Sequence, residues 1–164
     1  MARKMLILLG LFFLISVSAR AQNIALYGGY TFERLGTSPA RNLNGVEIAA
    51  HYTLMNWLRV SADLDGHFGL PSSPDARTFH FMAGPEISLP MRISPFVHAL
   101  AGFGSVHLNG DTSSSYAAAL GGGIDMRVAP LFSWRVIQVD DVVTHFFGGL
   151  QHSPRISTGF LIRF

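Results

Sequence analysis

The chain contains no cysteine and only one lysine, Lys4, among its 164 residues. Without thiols there can be no disulfides and no thiolate-based metal or redox chemistry. The shortage of lysine matters once the first residues are set aside. From Gln22 onward the sequence holds nine arginines and ten carboxylates, a net charge of −1 against +2 for the whole chain. A nucleic-acid-binding role then loses its electrostatic basis. Beyond the N-terminal stretch no segment approaches twenty unbroken apolar residues, so a membrane-spanning helix is excluded there. The glycine-rich "LGGGI" at 120–124 is followed by no Lys-Ser/Thr pair and opens no helix, which argues against a phosphate-binding loop.

What is present begins with "MARKMLILLGLFFLISVSARAQ". Arg3 and Lys4 form a basic start, Met5 to Ile15 an apolar stretch, and Ala19-Arg20-Ala21 a small-residue cleavage motif. This pattern predicts a secretory signal peptide over 1–21 and a single exported domain over 22–164.

The exported part alternates with a period of two, the repeat of β-strands. Ile24 to Glu33 sets Ile24, Leu26, Tyr30 and Phe32 on one face. Gly45 to Leu54 sets Val46, Ile48, Ala50 and Tyr52 against Glu47 and His51. "LRVSADLDG" alternates Leu58, Val60, Ala62 and Leu64 with Arg59, Ser61, Asp63 and Asp65. Further segments are predicted at Thr78 to Leu89, Pro95 to His107, Tyr116 to Val128, Leu131 to Asp141, and over the last ten residues. In the seventh, Gln138 and Asp140 share a parity with Trp134 and Val136. Arg135 is therefore expected on the apolar side, near an interface where its head reaches water.

The connections after the first, third, fifth and seventh strands read as long, and those after the second, fourth and sixth as short. With the first strand entering from the periplasm, every long loop falls outside, as in outer-membrane barrels. The competing architecture is a soluble lipocalin-type barrel with its apolar face turned inward. Arginine and carboxylate without lysine on the polar faces argue for paired groups in a confined lumen. Aromatic residues near the strand ends (Tyr30, Phe32, Phe79, Phe81, Phe103 and Tyr116 above; Tyr52, Trp57, Phe132 and Phe164 below) fit two interfacial girdles. The expected fold is all-β: an eight-stranded antiparallel up-and-down transmembrane β-barrel.

The terminal Phe164, preceded at every second position by Ile162 and Phe160, resembles the assembly signal of outer-membrane proteins. With eight strands, the chain resembles the small OmpA/OmpX-type outer-membrane barrel family, as do "GPEIS", "SPFVHALAGFG", "LGGGIDMRV" and "IQVDD". The resemblance implies the bacterial outer membrane, a non-enzymatic structural or surface-interaction role, and no cofactor. The partners it implies are outer-membrane lipid, lipopolysaccharide and the barrel-assembly machinery. Narrow porin-like passage and outer-leaflet lipid modification are the alternatives.

An eight-stranded barrel is just wide enough for side chains to fill it. The expected lumen network is Glu33, Glu47, His51, Arg59, Asp63, Asp65, His80, Glu86, His98, Asp125, Arg127, Gln138, Asp140, Arg155 and Arg163, with Arg155 close to Glu33. His67, His107, His145 and His152 are assigned to outer loops or strand ends, without metal-motif spacing. His152 and Ser153, with Asp140 or Asp141 upstream, form a triad-like set, but adjacent residues on a strand point oppositely; His145 with Ser153 is the alternative pair.

Overall fold

The computed structural model describes residues 23–36, 38, 40–69, 76–108, 110–145 and 149–164. The signal peptide expected over 1–21 lies outside these residues. Eight strands follow in chain order: β1 (Ile24–Leu35), β2 (Arg41–Met55), β3 (Leu58–Gly69), β4 (Arg77–Ser88), β5 (Ile93–Leu108), β6 (Asp111–Arg127), β7 (Phe132–Thr144) and β8 (Gln151–Arg163). Each pairs antiparallel with the next, and β8 returns to pair with β1, so the sheet closes into a barrel. The closing seam runs from Ala25 opposite Arg163 to Glu33 opposite Arg155. Beyond it, the Phe164 N–H donates to the Ile24 carbonyl at 2.9 Å. We call the end carrying Ile24 and Phe164 the inner end and the opposite one the outer end.

Side chains sort by parity into two environments. Val46, Ile48, Val60, Val97, Phe160 and Ile162 point out, with Phe160 64% exposed. Glu47, Arg59, Asp63, Asp65 and Arg155 point in and are buried. This is the reverse of a water-soluble barrel, and the outward apolar surface requires hydrocarbon around it. Tyr30, Phe79, Phe81, Phe103 and Tyr116 lie on the outward face towards the outer end, and Tyr52, Trp57, Phe132 and Phe164 towards the inner end. Phe103 and Tyr116 face each other across β5 and β6 with ring centroids 5.4 Å apart.

Two expectations need correction. The strands run further outward than their apolar pattern does, so the long outer loops shrink. Arg41 to Asn44 belong to β2, and Asp111 to Ser115 belong to β6. The connection after β5 is short, because Leu108 pairs with Asp111. Gly110 has φ of 95°, the left-handed conformation such a turn needs. The outer connections after β1, β3 and β7 remain longer than the inner ones, at 36–40, 70–76 and 145–150, and the alternation fails only after β5, where polar residues continue the ladder beyond the aromatic belt. The β5–β6 hairpin is the longest, with strands of 16 and 17 residues.

The second correction concerns Arg135, which is buried inside the barrel rather than lying on the apolar side. A β-bulge in β7 is the reason: Asp125 pairs with Arg135, but the preceding Ile124 pairs with Ile137. The extra residue switches parity. Ser133 and Arg135 face inward below the bulge, and Gln138, Asp140 and Val142 above it.

An arginine placed on the outward face in mid-wall tests this inside-out arrangement. Ile48, between Gly28 of β1 and Leu64 of β3, is such a site. Ile48→Arg is expected to destabilise the barrel by about 2–4 kcal/mol, measured by urea unfolding in phospholipid vesicles.

Candidate functional site

The lumen carries the chemistry of this chain, and its side chains stack in layers. At the outer end Leu35, Leu43, Ala76 and Val106 form a fully buried apolar cluster. Beneath it lies a polar layer from β1, β3 and β4. Thr78 Oγ1 donates to Glu33 Oε2 at 2.8 Å. His67 Nδ1 lies 3.1 Å from Glu33 Oε2 and 3.1 Å from Asp65 Oδ1. His80 Nδ1 donates to Asp65 Oδ1 at 2.8 Å.

The middle layer is centred on Arg155, which is fully buried. Its guanidinium donates through Nη2 to Asp63 Oδ2 at 2.8 Å and to Asp140 Oδ2 at 2.7 Å. Its Nη1 contacts Asp65. Strand β8 is thereby tied across the lumen to β3 and, on its own side, to the neighbouring β7. His98 Nε2 donates to Asp140 Oδ1 at 2.7 Å, adding β5. Glu33 stands opposite Arg155 on the neighbouring strand, but their side chains take other partners, because Arg155 reaches across the lumen to the aspartates and Glu33 turns to Thr78 and His67.

Gln138 joins this layer to the next. Its Nε2 donates to Asp140 Oδ2 at 2.7 Å and Glu47 Oε1 at 3.2 Å, while its Oε1 accepts from Arg135 Nη1 at 2.6 Å. Arg135 Nε donates to Asp125 Oδ1 at 2.8 Å. The Arg135 guanidinium stacks 4.1 Å from the Phe96 ring centroid and 4.8 Å from that of Tyr27. These flat contacts add to its hydrogen bonds with Asp125 and Gln138 in holding a buried cation here. Arg59 contacts Glu86, and His51 Nδ1 lies 3.4 Å from the same carboxylate. An apolar wall of Met82, Leu100, Ala117, Ala119 and Val142 fills one side of the lumen. Gly121 leaves space for the Asp140 carboxylate, and Gly123 for the backbone at Gln138 and the Phe96 ring.

Of the residues expected in the lumen, thirteen lie buried there. Arg127 and Arg163 instead edge the inner mouth, where they line a cavity of about 210 Å³ together with Arg59, Asn23, Asn56 and Ser88. Beside hydroxyl residues such as Thr78 and Ser157, one guanidinium and one imidazole of the lumen lie outside the expected network. Arg135 was hidden by the bulge, and His67 was assigned to an outer loop although it continues the inward parity of Asp63 and Asp65. The other three outer histidines do not converge. His107 Nδ1 pairs with Thr112 Oγ1 at 2.9 Å, the His145 N–H donates to Ser115 Oγ at 3.2 Å, and His152 Nδ1 donates to Asp141 Oδ2 at 2.8 Å on the exposed outer wall. Ser153 faces the opposite way, buried, and its Oγ accepts the Gly36 N–H at 3.1 Å. His152 and Ser153 therefore do not meet, and Asp140 is engaged with Arg155 inside.

Because Arg155 serves three carboxylates at once, Arg155→Met is expected to cost about 3–5 kcal/mol in urea unfolding, as removal of one partner strands buried charge. Arg155→Lys should recover only part, since an ammonium cannot reproduce the planar fork. His152→Ala, in an exposed pair, should change stability by only about 0–1 kcal/mol.

No protein-family model matches the sequence, and no curated protein matches it. Solved structures do match its fold. Neisserial surface protein A superimposes with a TM-score of 0.69 at 17% identity, covering 89% of this chain and 100% of that one. The N-terminal β-barrel domain of Pseudomonas aeruginosa OprF gives 0.55 at 12% identity, covering 87% and 100%. Ail, the attachment invasion locus protein of Yersinia pestis, gives 0.52 at 16% identity, covering 86% and 99%. At these identities the likeness is one of architecture, which the closed eight-strand sheet and its outward apolar wall share: the chain has the fold of the small eight-stranded outer-membrane β-barrels of the OmpA/OmpX type.

Proposed function

We propose that this protein is a non-enzymatic integral barrel of the bacterial outer membrane, exported through the periplasm, with a sealed lumen and a structural and surface-interaction role. The observation that supports the reading is the packing of side chains within the lumen. The apolar cluster of Leu35, Leu43, Ala76 and Val106 is fully buried at the outer end, and the Arg155 and Arg135 networks cross the middle. A narrow passage would need a continuous polar path, and a cluster with no polar atom to replace an ion's hydration shell opposes one. The protein reconstituted in planar bilayers is expected to show no discrete conductance steps. Reproducible channels from the purified barrel would favour the passage reading instead.

The outward face supports lipopolysaccharide as a lipid partner. Arg34 at the end of β1 and Arg77 at the start of β4 are exposed on the outer wall, just beyond Phe32 and Phe79. Three strand spacings place them about 14 Å apart around the wall. Guanidinium groups above an aromatic belt suit the phosphates of a lipid headgroup, whose acyl chains lie against the belt. The overhanging β5–β6 hairpin, with Thr112 to Ser115 facing water, supplies a polar surface for contacts outside the membrane. Phe160 and Phe164 remain on the outward face, where assembly machinery can read them. Arg34→Ala/Arg77→Ala is expected to weaken binding of purified lipopolysaccharide at least tenfold by calorimetry in detergent while leaving the unfolding midpoint unchanged.

A further inference from the structure

We propose that Glu33, His67 and His80, with Asp65 beside them, form a binding site for a divalent transition-metal cation of the zinc class beneath the outer apolar cluster. One donor atom from each of Glu33, His67 and His80 lies within 4.8 Å of the others, and all three residues are buried. Asp65 Oδ1 faces both imidazoles, at 3.1 Å from His67 Nδ1 and 2.8 Å from His80 Nδ1. Bonds of ~2.0–2.1 Å in a tetrahedral site separate adjacent ligand atoms by about 3.3 Å. The nitrogen–oxygen spacings of 2.8–3.1 Å therefore need to open by a few tenths of an ångström, and the wider spacings, all within 4.8 Å, to close towards the same value.

Hydrogen bonding alone serves this cluster poorly. His67 Nδ1 is surrounded by three oxygens: Glu33 Oε2 at 3.1 Å, Asp65 Oδ1 at 3.1 Å and Thr78 Oγ1 at 3.2 Å. It carries at most one proton to share among them. The Thr78 hydroxyl proton is already given to Glu33. On its other side, His67 Nε2 lies 3.3 Å from Thr31 Oγ1. If that nitrogen holds the proton, Nδ1 turns a lone pair towards the oxygens, an arrangement a cation relieves. A hydrogen bond from the far ring nitrogen is also what fixes the tautomer of a metal-bound imidazole. Unused capacity points the same way: Glu33 Oε1 and His80 Nε2 are buried without a hydrogen-bond partner.

Charge adds an independent argument. Among the described residues the lumen buries seven carboxylates (Glu33, Glu47, Asp63, Asp65, Glu86, Asp125 and Asp140) and three arginines (Arg59, Arg135 and Arg155). Two of those arginines, Arg59 and Arg135, serve Glu86 and Asp125 towards the inner end. The outer part is left with one arginine among five carboxylates, so it is the part of the lumen that attracts a cation. Two imidazoles with carboxylate oxygen select a borderline metal such as zinc or cobalt over calcium or magnesium, which prefer all-oxygen sites. Entry through the apolar cluster is obstructed, so the metal is expected to load during folding.

The test uses the untagged barrel refolded into detergent with excess zinc or cobalt chloride, then freed of loose ion by gel filtration. Mass spectrometry of bound metal is expected to give about one equivalent per chain, and the cobalt form to show the intense visible bands of a tetrahedral N/O site. The double variant H67Q/H80Q should retain no metal, and H107Q/H152Q should retain the full equivalent. Folding is checked by the heat-dependent shift of the barrel on gels. Should the double variant fail to fold, Glu33→Gln gives the second measurement, with affinity expected to fall at least tenfold. A folded wild-type barrel that takes up no metal overturns the proposal, as does full retention by a folded H67Q/H80Q or undiminished affinity in Glu33→Gln.

Discussion

A strand in hydrocarbon has no water to bond with, so every N–H and C=O must find a partner in the protein. That constraint decides the architecture. Eight strands can satisfy it only if the last pairs with the first, and the β1–β8 ladder does so over nine residue pairs before the Phe164 N–H adds one more bond to Ile24. The C-terminal residue is ordered for this reason, although chain ends elsewhere fray. Its ring lies outward, so the position that closes the ladder also places an aromatic side chain at the inner interface.

Closure creates two separate solvents, and each strand must address both. Lipid surrounds Val46, Ile48, Val97 and Phe160 at no cost, but contributes nothing to the packing of the lumen. Inside, cohesion comes from side chains that span between strands. Arg155 of β8 reaches β3 and β7, Gln138 of β7 reaches β2, and Thr78 of β4 reaches β1. A one-residue slip in any strand would turn its charged members towards hydrocarbon and its apolar members into the network. Such ionic crossings add little net stability when complete. Their consequence is register, because a slipped barrel strands several charges at once.

The fold was legible because period-two alternation survives in almost every strand, and Leu58 to Asp65 carries it without a break. The same rule misled where one residue was out of step. At Arg135 the sequence alternates as any strand does on either side, and nothing in the residue types marks the bulge between Asp125 and Ile124 of the partner strand. The contradiction of parity between Arg135 and Gln138 was its only trace. The stretch from Leu108 to Ser115 reads as one long loop, since polar residues on both faces leave no period to count, although Asp111 to Ser115 continue the ladder of β6. His67 shows a third limit. Its parity placed it inside, yet the proximity of Phe68 and Gly69 to the loop made it look like a strand end. Only the β3–β4 register, with Asp65 opposite His80 and His67 opposite Thr78, brings the two imidazoles together.

The layers of the lumen also give it a polarity that sequence order conceals. Arg59, Arg127 and Arg163 come from three separate strands and gather around the inner cavity, while Glu33, Asp63 and Asp65 gather towards the outer end. A cation approaching from the inner end meets guanidinium groups first, and an anion that passes them meets carboxylates beyond. From the outer end, the four apolar side chains offer neither ion a ligand. A packed lumen could have been neutral throughout, so packing alone does not require this arrangement. On the proposed reading of a sealed barrel, the opposed fields add an electrostatic barrier to the steric one. In a medium less polar than water, such fields act over the whole length of a narrow barrel.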